Sequence, residues 1–195
     1  MQTSIRSATR ADVPQILKFI RALAAYEHEP DAVTATEASL EMDGFGPNPF
    51  YFCLMAETEG RPSGFALSFF DYSTWRGPGI YIEDLFVDPE FRGLGIGKLL
   101  LQHLAVLARN KQCTRLKWAV LDWNMPAIGF YRALGAEFLD EWRNARITGE
   151  ALERLAGAEA PGDALPGGPS SGLASHDEVQ CVEAHAEAPP PEAGR

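Results

Sequence analysis

The stretch FVDPEFRGLGIGKLLLQHL, residues 86–104, passes from an apolar strand end through three alternating glycines, Gly93, Gly95 and Gly97, into a leucine-rich helix. Such a turn leaves main-chain N–H groups uncovered at the positive end of a helix dipole, where they can hold an anion such as a phosphate. Two familiar phosphate loops fail on counting. A dinucleotide fingerprint G-x-G-x-x-G begun at Gly93 needs glycine at Lys98, and begun at Gly95 needs it at Leu100. A nucleoside-triphosphate loop ending at Gly97-Lys98 needs glycine at Arg92 and Ser or Thr at Leu99. The glycines therefore call for a phosphate-bearing ligand of another kind.

The elements that must position this loop follow from periodicity. TSIRSAT predicts a first strand. Thr9 or Asp12 can cap the helix after it, DVPQILKFIRALAAYE, in which Val13, Ile16, Leu17, Ile20 and Leu23 recur at helical spacing. TEASLEMDGFG predicts a shorter helix stopped at Gly44, and FYFCLMAE, GFALSFFDYS and GIYIEDLFVD predict successive strands. The glycine loop opens the helix IGKLLLQHLAVLARNK, and a strand RLKWAVL follows. NMPAIGFYRALGA predicts a helix with Asn124 at its start and Gly135 at its stop. EFLDEWRNARIT predicts one or two closing strands, and GEALERLA a last helical turn or two. The fold class is α/β: a mixed, mostly antiparallel sheet with a strand-helix-strand crossover and helices on both faces.

Composition bounds the partners. The chain has 195 residues, 46% of them hydrophobic, which suits one domain with a sizeable core. Apolar runs stop well short of the ~20 residues that span a bilayer, and MQTSIRSATRADV lacks a signal-peptide core, so a cytoplasmic protein is expected. The net charge of −10 disfavours nucleic acid and attracts cations. Residues 1–156 form the predicted domain. Residues 157–195 carry one Arg, seven acids, six prolines and no aromatics, a composition that predicts a disordered acidic tail. His176 and His185 within it read as solvated. Cys53, Cys113 and Cys181 form no C-x-x-C pair, so neither a disulfide framework nor a structural zinc site is expected.

The loop RGLGIG after a strand ending EDLFVDPEF, followed by VLDWNMPAIGFYRALGA, resembles the acyl-CoA-binding segments of GNAT-superfamily N-acetyltransferases. Their loop pattern, Arg or Gln-x-x-Gly-x-Gly or Ala, is filled by Arg92, Gly95 and Gly97. Within that superfamily LAAYEHE, DGFGPNPFYFCLMAE, YIEDLFV and WNMPAIGFY are similar to the spermidine/spermine (diamine) and thialysine N-acetyltransferase branch, from about Ile5 to Ala156.

The resemblance implies that the glycines cradle the pyrophosphate of acetyl-CoA. Main-chain N–H groups across Gly93, Leu94, Gly95, Ile96, Gly97 and Lys98 would hold its oxygens, with Arg92 and Lys98 adding positive charge. Leu85, Phe86 and Val87 would pair with the pantetheine arm at a strand bulge, one N–H polarising the thioester carbonyl. Asn124 would hold the coenzyme, or serve as a helix N-cap. Tyr131, otherwise a core residue, would be the general acid for the leaving thiolate. Glu83 would be the base for the amine, or bind its cation. Strand alternation sends Asp84 to the other face. Tyr26, Glu27 and an acid near Glu141 would receive the distal ammonium groups, although Glu27 and Glu141 also fit plain surface acids. The expected chemistry is direct acetyl transfer to a small cationic amine, of diamine, polyamine or thialysine type, without a metal, in a possible homodimer. Transfer to a protein lysine or an antibiotic amine, or acetyl-CoA sensing without catalysis, stands as the alternative.

Overall fold

A computed structural model describes residues 1–157. The acidic tail, with His176, Cys181 and His185, lies outside the described residues. The chain divides into two compact units, Met1–Leu134 and a second beginning at Gly135.

The first unit is built on a five-stranded sheet in the order β1-β2-β3-β4-β5. Strands β1 (Thr3–Ser7), β2 (Phe52–Thr58), β3 (Arg61–Ser73) and β4 (Gly77–Val87) pair antiparallel in sequence order. Helix α3 (Ile96–Asn110) then carries the chain to β5 (Leu116–Trp118), which lies parallel to β4. This is the expected mixed sheet with one crossover. The predicted RLKWAVL strand contracts to three residues, a difference that matters for the site.

Both faces of the sheet are covered. Phe65 and Leu67 of β3 project to one face, where Phe86 and Val13, Ile16, Leu17 and Phe19 of α1 (Val13–Tyr26) complete a buried cluster. Phe19 stacks on Phe65 with ring centroids 5.6 Å apart and tilts against Phe86 at the same distance. Each such buried ring contributes about 1.5 to 3 kcal/mol relative to exposure. On the alternate β3 positions Ala66 and Ser68 are fully buried, opposite Leu85 and Ile82. Ile96, Leu100 and Leu104 of α3 are buried outside the α1 cluster, as a helix covering the second face requires.

Three sequence expectations are corrected. The helix α2 (Glu37–Phe45) does not stop at Gly44 but runs through it. A Cβ on Gly44 would come within 2.3 Å of the Tyr51 ring, whose hydroxyl donates to the Leu40 carbonyl, so that glycine serves close packing. Asp12 does not cap α1 with its side chain. Its carboxylate accepts from both Thr9 N and Thr9 Oγ1 and from both terminal nitrogens of Arg6, which hold it down at about 2. In the second unit, residues 136–148 form no strand. Five of the twelve residues of EFLDEWRNARIT are charged, and Leu139, Trp142 and Ile147 remain exposed, without the apolar burial that a closing strand needs. The described residues of this unit end in α5 (Gly149–Gly157), exposed throughout.

Candidate active site

The glycine loop turns as its composition dictates. Gly93 and Gly95 have φ of +80° and +79°, the left-handed region that a side chain disfavours. Gly95 is the N-cap of α3, and having no side chain it caps nothing, so the N–H groups of the first helical turn stay available. The first bond of the turn runs from Leu99 N to the Gly95 carbonyl at 3.0 Å. A Cβ on Gly93 or Gly95 would meet no protein atom within 4 Å, leaving open space over the loop. Gly97 has ordinary helical geometry, and a Cβ there would touch only Phe130 and Val87 at 3.5 Å or more. Arg92 and Lys98 are exposed beside this space. The donor set therefore fits a pyrophosphate.

Strand β4 opens beside the loop. β5 pairs with it only over Ile80–Ile82, so no strand among the described residues lies along that edge of Glu83–Val87. On its other edge Leu67 faces Asp84 while the next β3 residue, Ser68, faces Ile82. Glu83 is thus the extra residue of a β-bulge, and strand alternation reverses across it. Asp84 consequently shares a face with Leu67 and Phe86, on the α1 side. This corrects the simple alternation that sent Asp84 away from the site. Glu83 is exposed, and Asp84 is half-buried. Burial first, then the charges of Glu83 and Glu27, push the Asp84 carboxyl up to about 6.

Glu27, the C-cap of α1, is half-buried and its carboxyl is raised by burial. Its charge also reaches Tyr131 on α4 (Met125–Ala133). Tyr131 is buried, against Trp118 at 4.8 Å and Phe130 at 5.2 Å between ring centroids. Burial first, then Glu27, push the Tyr131 phenol up to about 12, so it keeps its proton at neutral pH. Asn124 caps α4, its Oδ1 accepting from Ala127 N at 3.3 Å and from the Tyr26 hydroxyl at 3.0 Å. Both Asn124 roles read from sequence are thus open at once, since its amide NH2 is not needed for the cap. Arg92 lies over the Tyr26 ring at 5.1 Å, and its Nε donates to the Val87 carbonyl at 3.1 Å.

Of the residues singled out in sequence, Arg92 through Lys98 form the loop, Leu85, Phe86 and Val87 lie on the unpaired length of β4, and Glu27 lies in electrostatic reach of Tyr131. Glu141 sits exposed in the second unit, in the turn where Trp142 N bonds the Leu139 carbonyl. Trp123 and His28 are additions that sequence reasoning did not make, while Asp84 is the residue that strand alternation sent to the other face. Cys53 is buried, with its thiol raised, and Cys113 lies beyond the far end of α3. Among the described residues no group of His, Cys, Asp or Glu is placed to hold a metal ion, and no helix is long and apolar enough to cross a membrane.

Residues 16–136 match the sequence pattern of the Acetyltransferase (GNAT) family. The chain belongs to this family. It is similar to thialysine N-epsilon-acetyltransferase of Bos taurus, 46% identical over 164 residues that cover 78% of this chain and 96% of that one. It is also similar to spermidine/spermine N(1)-acetyltransferase-like protein 1 of Homo sapiens, 39% identical over 80% of this chain and 24% of that one. Among solved structures, an integron cassette protein from the mobile metagenome of V. cholerae superposes with a TM-score of 0.67 at 27% identity, covering 81% of this chain and 99% of its own. This GNAT chain is an N-acetyltransferase, and its glycine loop, opened β4 and α4 tyrosine all fall within the matched span.

Proposed function

We propose that the protein transfers acetyl from acetyl-CoA directly to a primary amine of a small cationic acceptor, of thialysine, diamine or polyamine type. One observation carries the reading: an uncapped glycine turn at the start of α3 follows a length of β4 left unpaired by β5 past Ile82, where a bulge turns the half-buried carboxylate of Asp84 to the α1 side. The relatives named for thialysine and spermidine/spermine support the acceptor class.

When bound, acetyl-CoA supplies a thioester carbonyl open to attack. The N–H groups of Ile96, Gly97 and Lys98, with the Arg92 and Lys98 side chains, hold the pyrophosphate against α3. Leu85, Phe86 and Val87 offer main-chain groups to the pantetheine arm, and an N–H among them stabilises charge developing on the carbonyl oxygen. Asn124, its Oδ1 committed to Ala127 N and the Tyr26 hydroxyl, would offer its amide N–H to the coenzyme.

An alkyl ammonium, with an ordinary pKa near ~10.4, must lose a proton before its nitrogen can attack. Asp84 takes that proton, directly or through a water, because a carboxyl near 6 is a stronger base than an unperturbed one and is still ionised at neutral pH. Glu83 and Glu27 hold the remaining positive charge. As the C–N bond forms and the C–S bond breaks, Tyr131 gives its phenolic proton to the departing sulfur and is reprotonated by the second proton that the acetylated nitrogen sheds. The resemblance further implies a homodimer, which sedimentation equilibrium decides.

The test is product mass. Incubation with acetyl-CoA and thialysine or spermidine should add one acetyl group to the amine and release one free thiol. Thiol release without acetylated amine would overturn the proposal.

A further inference from the structure

We infer that Tyr26 is a positioning residue that ties the coenzyme loop to the acceptor carboxylate Glu27; the inference rests on the acetyl-CoA and amine reading above. Tyr26, Glu27 and His28 are consecutive, yet they face different things. The Tyr26 hydroxyl donates to Asn124 Oδ1 at 3.0 Å, and its ring lies under Arg92 at 5.1 Å and beside Trp123 at 5.9 Å. His28 packs on the same Trp123 at 5.2 Å. Between these two anchored rings, Glu27 is left to act on Asp84 and Tyr131.

The backbone shows that this arrangement is held against a local preference. At the end of α1, Glu29 N bonds the Ala24 carbonyl and His28 N bonds the Ala25 carbonyl, the pair of bonds that closes a helix with a left-handed residue. Glycine is the usual occupant of that position. Here it is His28, at φ +65°, a conformation that a residue with a side chain disfavours. The Trp123 contact offsets that cost, and Trp123 adjoins Asn124. Both flanks of Glu27 are therefore fixed to the residues that face the coenzyme. Drawing Arg92 and Asn124 toward a bound coenzyme steadies Tyr26, and through it the carboxylate that receives the amine.

A double-mutant cycle tests this with Tyr26→Phe, which removes only the hydroxyl, Glu27→Gln, and the pair together. CoA affinity is read by titration calorimetry, folding by thermal melting, and KM and kcat with whichever of thialysine and spermidine the wild type acetylates faster. Tyr26→Phe is expected to raise the amine KM about fivefold, the worth of one neutral hydrogen bond, with kcat and CoA affinity within about threefold. The pair should be no worse in KM than Glu27→Gln alone, because Tyr26 acts through Glu27. If the two KM effects multiply, or if Tyr26→Phe weakens CoA binding and leaves KM unchanged, Tyr26 is a plain coenzyme contact and the inference is wrong. A wild type that binds no CoA overturns the underlying reading, and this inference with it; the calorimetry reports that outcome separately.

Discussion

Leu67 stands opposite Asp84 across the β3–β4 ladder, although its chain neighbour Ser68 stands opposite Ile82. That single skipped residue turns Asp84 to the α1 side, within reach of the Glu27 charge, and the pairing of β4 with β5 reaches only to Ile82, just before it. One bulge thus turns a carboxylate toward α1 beside an unpaired length of β4.

A carboxyl raised in the folded state binds its proton more tightly there than in the unfolded chain. Its contribution to stability is therefore full below the unfolded value near 3.8 and is lost as pH rises through about 6. At pH 7.5 ionised Asp84 is a net cost. Asp84→Asn is expected to raise the melting temperature by a few degrees, roughly 1 to 2 kcal/mol, while lowering kcat/KM about tenfold or more. Wild-type kcat/KM should climb through about pH 6, and that limb should vanish in the variant. A variant with a lower melting temperature and full activity would count against Asp84 as the base.

Tyr131→Phe keeps the ring that packs on Trp118 and Phe130 and removes only the proton donor. Turnover should fall about 10²-fold or more, with CoA affinity within a few-fold by calorimetry. Lost affinity with unchanged turnover would make Tyr131 a coenzyme contact instead.

Gly97 separates the needs of the fold from those of the ligand. A Cβ there finds only ordinary contacts, and alanine favours a helix over glycine by up to ~1 kcal/mol, so Gly97→Ala should melt no lower than the wild type. The same Cβ intrudes where a pyrophosphate meets the backbone. CoA affinity should drop about tenfold or more, as read by calorimetry, and unchanged affinity would remove the pyrophosphate from this turn.

Much of this was legible in the sequence because it is local. The helical spacing of Val13, Ile16 and Leu17 and the glycine run at 93–97 are short-range patterns, and both appear where they were expected. The resemblance implied a bulge in this strand, but its place at Glu83 was not legible in the residues, because β4 is covered on both faces. Ile82 and Phe86 are both buried at even spacing and yet lie on opposite sides of the sheet. Nor could spacing reveal that the Tyr26 hydroxyl is bound to Asn124, 98 residues away. The one or two closing strands expected over EFLDEWRNARIT left out of account how many charges the segment between Glu137 and Arg146 would have to solvate.

The central claim is acetyl transfer to a small cationic amine, and it is tested most directly by thiol release from acetyl-CoA with propylamine, putrescine, spermidine and thialysine at low and high salt. Each amine–carboxylate contact at a partly exposed site contributes roughly 0.5 to 1 kcal/mol, so kcat/KM for the best multiply charged acceptor should exceed that for propylamine about tenfold at low salt. The gap should narrow as the Debye length falls below ~8 Å. Equal kcat/KM across the four amines at low salt, or no thiol release with any of them, would contradict the claim.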